Sequence, residues 1–170
     1  MTASGMANAI RNSGIQNCTD ASDALNNFWN AIKNYVENNL EATYSWIGVN
    51  PEAELPDPVV IVKCKAKTSG NLTPCQLKNA ESALAVMSAQ MNTSAATWRL
   101  SPDTTKSPGF SLSPAFIIPT ISLSASRLTD PASSLEFVCN QIINGIKIAT
   151  PTMAGNHTVF TGTATFTNII

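Results

Sequence analysis

The sequence predicts an α+β domain: a mainly antiparallel sheet with about three helices packed on it and one long loop or hairpin extension. Three observations carry that class. Apolar residues alternate at period two in Val59–Lys67 and again in the closing stretch, whereas three other stretches repeat at spacings of three and four. The periods follow one another as helix, strand, helix, strand, long loop, strand, helix, strand, which places helices on one face of the sheet. A chain of 170 residues fits one domain and buries roughly two-thirds of its unfolded surface without metals or disulfides.

Residues 1–19 are small and polar, with at most a short helical turn around Ala7 to Arg11 closed by Gly14. They read as an N-terminal extension, frayed or held by a neighbouring subunit, ahead of a single domain at 20–170. The first long helix starts near Thr19 or Asp20, where Asp20 and Asp23 suit the positive end of the macrodipole. Leu25, Phe28, Trp29, Ile32, Val36 and Leu40 make one apolar face. Asn27, Asn30, Asn34 and Asn38 line the opposite one. Asparagine is a mediocre helix former, so this helix depends on packing. It frays near Ser45, and Gly48 through Pro58 forms a connector carrying Glu52, Glu54 and Asp57.

The firmest unit is Pro58 to Met91. Val60, Val62, Cys64 and Ala66 point one way and Ile61, Lys63, Lys65 and Lys67 the other, so one face is core and the other a basic stripe. After a turn at Gly70 and Asn71, Thr73-Pro74-Cys75-Gln76 reads as a capping box for a helix that buries Leu77, Ala80, Leu84, Met87 and Met91. Ala95 to Leu100 forms a short strand with Ala96, Trp98 and Leu100 on one side. Ser101 to Pro114 then loses all pattern except Phe110. This loop of about fourteen residues, where ~4–6 is typical, is either a floppy hairpin tip or an arm that packs on a neighbouring subunit with Phe110 as anchor.

Ala115 to Ala125 resumes as a strand, with Ile117, Ile121, Leu123 and Ala125 on one face; Pro119 marks an edge strand or a bulge. Asp130 caps a third helix with Pro131 at its first position, and Leu135, Val138, Cys139, Ile142 and Ile146 form its buried face. Gly145 weakens its last turn. His157 to Ile170 closes the chain as a strand, setting Phe160, Gly162, Ala164 and Phe166 against a row of threonines.

Charged residues make up only 12% of the chain, about half the usual ~25%, and Asn, Ser and Thr take their place. A surface that is polar without being charged fits a protein covered by partners, and the net charge of −1 argues against a dedicated nucleic-acid binder. Cys18, Cys64, Cys75 and Cys139 contain no C-x-x-C and read as free buried thiols, with a Cys64–Cys75 disulfide as the alternative. The first residues lack the pattern of a signal peptide, which points to synthesis in the cytosol, and no apolar run approaches the ~18 residues of a membrane span.

Titratable groups are few. His157 is the only histidine and sits in a turn; the cysteines lie on apolar faces; no zinc set, P-loop or nucleophile elbow is present. The expectation is a non-enzyme without cofactor or metal, a small Cys/His hydrolase being the remote alternative. Lys63, Lys65 and Lys67 either guard a sheet edge or make a charge-complementary contact. The complement is the acidic connector Glu52, Glu54 and Asp57 of the next subunit, or passing nucleic acid.

The low charge, the asparagine-lined first helix, strand Val59–Lys67, the extension at Ser101–Pro114 and the closing TVFTGTATFTNII resemble the small structural proteins of tailed-bacteriophage virions: neck, tail-terminator, connector and baseplate subunits. That resemblance implies a non-catalytic subunit of a homo-oligomeric ring, commonly sixfold, whose loops and termini bind adjacent subunits. It also implies other virion proteins as partners, incidental DNA contact in a lumen, no membrane, and a place in the virion after synthesis in the host cytoplasm. No functional residue carries over. The candidate subunit contacts therefore come from this chain's own chemistry: Lys63, Lys65, Lys67, Glu52, Glu54, Asp57 and Phe110. A secreted or surface adhesive, pilin-like module is the alternative, and it requires export and disulfides.

Overall fold

A computed structural model describes residues 1–48, 59–74, 80–112, 115–117, 119–125, 130–151, 155–157 and 162–170. Among them are helices α1 (Ala3–Arg11), α2 (Ala21–Asn39), α3 (Ala80–Ala95) and α4 (Pro131–Lys147). The strands are β1 (Glu41–Gly48), β2 (Val59–Lys67), β3 (Arg99–Pro102), β4 (Phe110–Leu112), β5 (Ala115–Phe116), β6 (Gly155–His157) and β7 (Gly162–Ile169). An antiparallel five-stranded sheet runs β5-β3-β2-β1-β7, and β4 pairs with β6 in a separate ribbon. The protein is α+β.

The N-terminus departs from the reading of at most a short turn. Thr2 caps a nine-residue helix by accepting the Gly5 N–H at 3.2 Å, and Met6, Ala7 and Ile10 enter the core beside α2 and α4. The Tyr35 hydroxyl accepts the Thr2 N–H at 2.9 Å, and a Cβ on Gly5 would lie 2.6 Å from it. Small residues at this terminus thus serve close packing on α2.

Helix α2 starts at the Asp20 cap, as its sequence indicates, but stops at Asn39. The stretch expected to fray is strand β1, which pairs with both β2 and β7. Ala42, Tyr44 and Trp46 are buried, and their Thr- and aromatic-rich setting suits a pleated surface. The apolar period of the helix continues through Leu40 and hides the change of period just behind it.

In β2 the alternation holds from Val62 onward, whereas Val60, expected on the core face, is 37% exposed. Val62, Cys64 and Ala66 are buried, while Lys65 and Lys67 are exposed. Because β2 lies between β1 and β3, its lysines are not guarding an edge. Behind it Trp29 of α2 stacks on Trp98, with centroids 5.5 Å apart. Ser94 accepts from Trp29 Nε1 at 2.8 Å and donates to the Ser69 carbonyl, which also accepts from Trp98 Nε1. Gly70, at φ 85°, brings this turn so close that a Cβ would sit 2.2 Å from Ser94 Oγ. Cys75, Gln76 and Leu77, and with them the capping box, lie outside the described residues.

Two strands are shorter than expected. Helix α3 continues to Ala95 and β3 begins only at Arg99, so Ala96 is exposed while Trp98 and Leu100 are buried. Strand β5 has two residues and forms one edge of the sheet, in keeping with Pro119. Beyond Pro119 the chain leaves the sheet. Asn92 donates to the Ile121 carbonyl and accepts its N–H, both at 2.8 Å; Ser88 accepts the Leu123 N–H, and Gln141 that of Ser124. Side chains of α3 and α4 stand in for a neighbouring strand, and Ile117, Ile121 and Leu123 keep the inward alternation.

Helix α4 has the expected Asp130 cap, which accepts the Ser133 N–H at 2.7 Å. Gly145 permits a crossing: a Cβ there would lie 2.7 Å from the Thr120 carbonyl oxygen. Of the stretch expected to close the chain as a strand, His157 belongs to β6, paired with β4, and Gly162–Ile169 to β7 of the main sheet.

Candidate functional site

The helices cover the face of the sheet bearing Tyr44, Val62, Cys64 and Leu100. The lysines project from the opposite, outer face. Register places Lys65 across from Glu41 on β1 and Ser101 on β3, Lys63 across from Thr43, and Lys67 across from Arg99. Lys63 Nζ lies 2.7 Å from Glu41 Oε1, and Lys106 Nζ bonds the other oxygen of the same carboxylate. Lys65 Nζ lies 3.1 Å from Asp103 Oδ2. Two of the three stripe lysines are therefore paired within the chain. Lys67 makes no ion pair among the described residues.

Lys106, Asp103 and Ser107 come from the stretch read as patternless. The Asp103 N–H bonds the Lys63 carbonyl at 2.8 Å, extending the β2–β3 ladder by a residue. A turn follows in which the Asp103 carbonyl accepts from Lys106 and Ser107, and Asp103 Oδ1 accepts the Thr105 N–H at 3.1 Å. The Lys63 N–H donates to Ser107 Oγ at 2.9 Å, so a hydroxyl fills the place of a strand carbonyl. Asp103 and Ser107 are only 6% and 4% exposed. Phe110, now in β4, packs edge-on against Trp46 of its own chain, with centroids 5.3 Å apart. The loop is a built strap on this subunit. Glu52, Glu54 and Asp57 lie outside the described residues.

The electrostatics follow from the pairing. Hydrogen bonds from Lys106 and Lys63 hold the Glu41 carboxyl below its ordinary value, and the same contact raises Lys106. Burial pushes Asp103 up, but Lys65 and the Thr105 N–H outweigh it and the carboxyl ends low. With Lys63, Lys65 and Lys106 set against Glu41 and Asp103, the cluster keeps one net positive charge. Lys67 and Arg99, opposite each other on the same face, stand beside it as further cations.

Elsewhere, Cys18, Cys64 and Cys139 are free thiols. Burial pushes Cys64 and Cys139 up to about 12, so both stay protonated and unreactive at neutral pH. Among the described residues no group of three His, Cys, Asp or Glu is placed to hold a metal, and no helix is long and apolar enough to cross a membrane. The asparagine stripe lines a cleft of about 480 Å³ between α1 and α2. Part of it is bonded within the chain: Asn38 donates to the Asn34 carbonyl and Asn27 to Cys18 Sγ.

Glu41, Asp103, Lys106 and Ser107 escape the sequence reading. The alternation of Glu41 to Ile47 is the signal for the first, and an aspartate opening Asp-Thr-Thr-Lys-Ser, a turn-forming run, is the signal for the others. No protein-family model, no curated protein and no solved structure matches this chain.

Proposed function

We propose that the chain is a non-catalytic structural subunit of a tailed-bacteriophage virion, assembling into an oligomeric ring in the neck or tail as a terminator, connector or baseplate component. One observation carries the assembly part of this reading: a sheet face on which Lys63 and Lys65 are paired within the chain and the positions beyond them, toward Ile47, are neutral. Ile61 and Ile47 are 53% and 44% exposed there. Ser45, Thr163 and Thr165 adjoin them in register. Depletion of unpaired charge with exposed aliphatic side chains is the composition of a surface that a permanent neighbour covers. The virion part rests on the resemblance of the sequence. The free thiols Cys64 and Cys139, buried in the core, favour it over an exported, disulfide-built adhesive.

Native mass spectrometry and negative-stain imaging of the purified protein test the proposal. Closed oligomers, or uptake into a larger virion particle, are expected. A strict monomer at high concentration, with no larger particle to receive it, overturns the reading.

A further inference from the structure

The two edges of the sheet are unlike. Strand β5 is two residues long and is bracketed in sequence by Pro114 and Pro119, so it offers almost no ladder. Strand β7 is eight residues long, GTATFTNI, and among the described residues its one hydrogen-bonded neighbour in the sheet is β1. It carries no charge and no proline, the usual means of keeping an edge from pairing. Its one irregularity is a bulge: register passes from Thr43↔Asn168 to Tyr44↔Phe166, leaving Thr167 unmatched. Gly162 to Phe166 is thus a regular edge segment with a defined end.

We propose that β7 pairs antiparallel with β7 of a second copy about a two-fold axis at Ala164, joining the two sheets into one. The segment is complementary to itself in this register. Exposed Thr163 falls opposite Thr165 of the second copy, a favourable cross-strand pair. Ala164 meets Ala164, and Phe166 falls across from Gly162, where the Trp46 ring of the same chain already lines the position, 2.5 Å from where a Cβ would sit. Phe166 is only partly buried, resting edge-on against Tyr44, and the second strand completes its cover. A slip of one residue would set Phe166 against a threonine and turn the second sheet over, so the pleat excludes odd slips. No charge in β7 opposes its twin. A second copy makes the Thr163–Thr165 pairing twice by symmetry.

This pairing rests on the assembly reading as its first contact; because a two-fold contact is isologous, a ring built from such dimers has dihedral symmetry. The test is oxidative cross-linking of the full chain. Thr163→Cys with Thr165→Cys in one chain should yield a covalent dimer on a non-reducing gel, while the wild type, with its own four cysteines, does not. Thr165→Lys, on an exposed site, should keep the native circular dichroism and weaken the dimer at least tenfold in sedimentation equilibrium. Absence of the cross-link, or a dimer indifferent to Thr165→Lys, overturns the pairing. Rings that form without the cross-link would overturn the pairing and leave the assembly reading standing. A cross-linked dimer that enters no larger particle supports the pairing and counts against the ring.

Discussion

The two faces of the five-stranded sheet come from the same strands and the same alternation, yet they are closed differently. The inner face is covered by helices whose apolar stripes need only meet it. The outer face is organised by a few specified partners: Glu41 for Lys63, Asp103 for Lys65, and Ser107 for a backbone N–H. Hydrophobic burial is non-directional, so many sequences can build the first. Polar partners must stand within hydrogen-bond reach, so the second depends on where one strap lands.

Breaking the inner face should have the largest effect. Trp29→Ala removes a fully buried ring stacked on Trp98 and should cost about 3–5 kcal/mol, read as a lowered midpoint in urea unfolding. Asn92→Ala comes next. It strips both partners from the Ile121 backbone and should cost about 1–3 kcal/mol; an unchanged midpoint would mean that the segment finds other partners.

The outer face is better probed by pH. Glu41 and Asp103 have folded values below the ordinary 4.5 and 3.8. The unfolded chain therefore binds more protons in this range, and stability falls as pH drops below about 4.5 and on through the folded values. Glu41→Gln should flatten that acid limb, measured by thermal unfolding from pH 6 to 2. At the alkaline end the sign reverses. Cys64 and Cys139 are raised from 9.0 to about 12, so stability present below pH 9 declines above it. The smallest effect on folding belongs to Lys67→Glu, which disturbs no ion pair seen among the described residues and should move stability by under ~0.5 kcal/mol. If the stripe orients a neighbour, assembly falls while the unfolding midpoint stays. Reversing Lys63 and Lys65 as well is not comparably mild, because each new carboxylate would face Glu41 or the buried Asp103.

Local patterns announced the α+β class, the caps at Asp20 and Asp130, and the inward face of β2 with its lysines opposite. Each depends on side chains a few residues apart, where helix and strand periods act directly. The helix at Ala3–Arg11, the role of Gly145 and the strand-like hold on Ile121 to Ser124 were not legible in this way. Met6 and Ile10 gain meaning only beside α2 and α4, and Gly145 only because Thr120 crosses it. The candidate surface divides along the same line. That three lysines share a face follows from period two alone. That Glu41 and Asp103 neutralise two of them, and that Phe110 turns onto Trp46 of its own chain, required strands far apart in sequence to be brought into register, since an ion pair depends on distance in space and no local period encodes it.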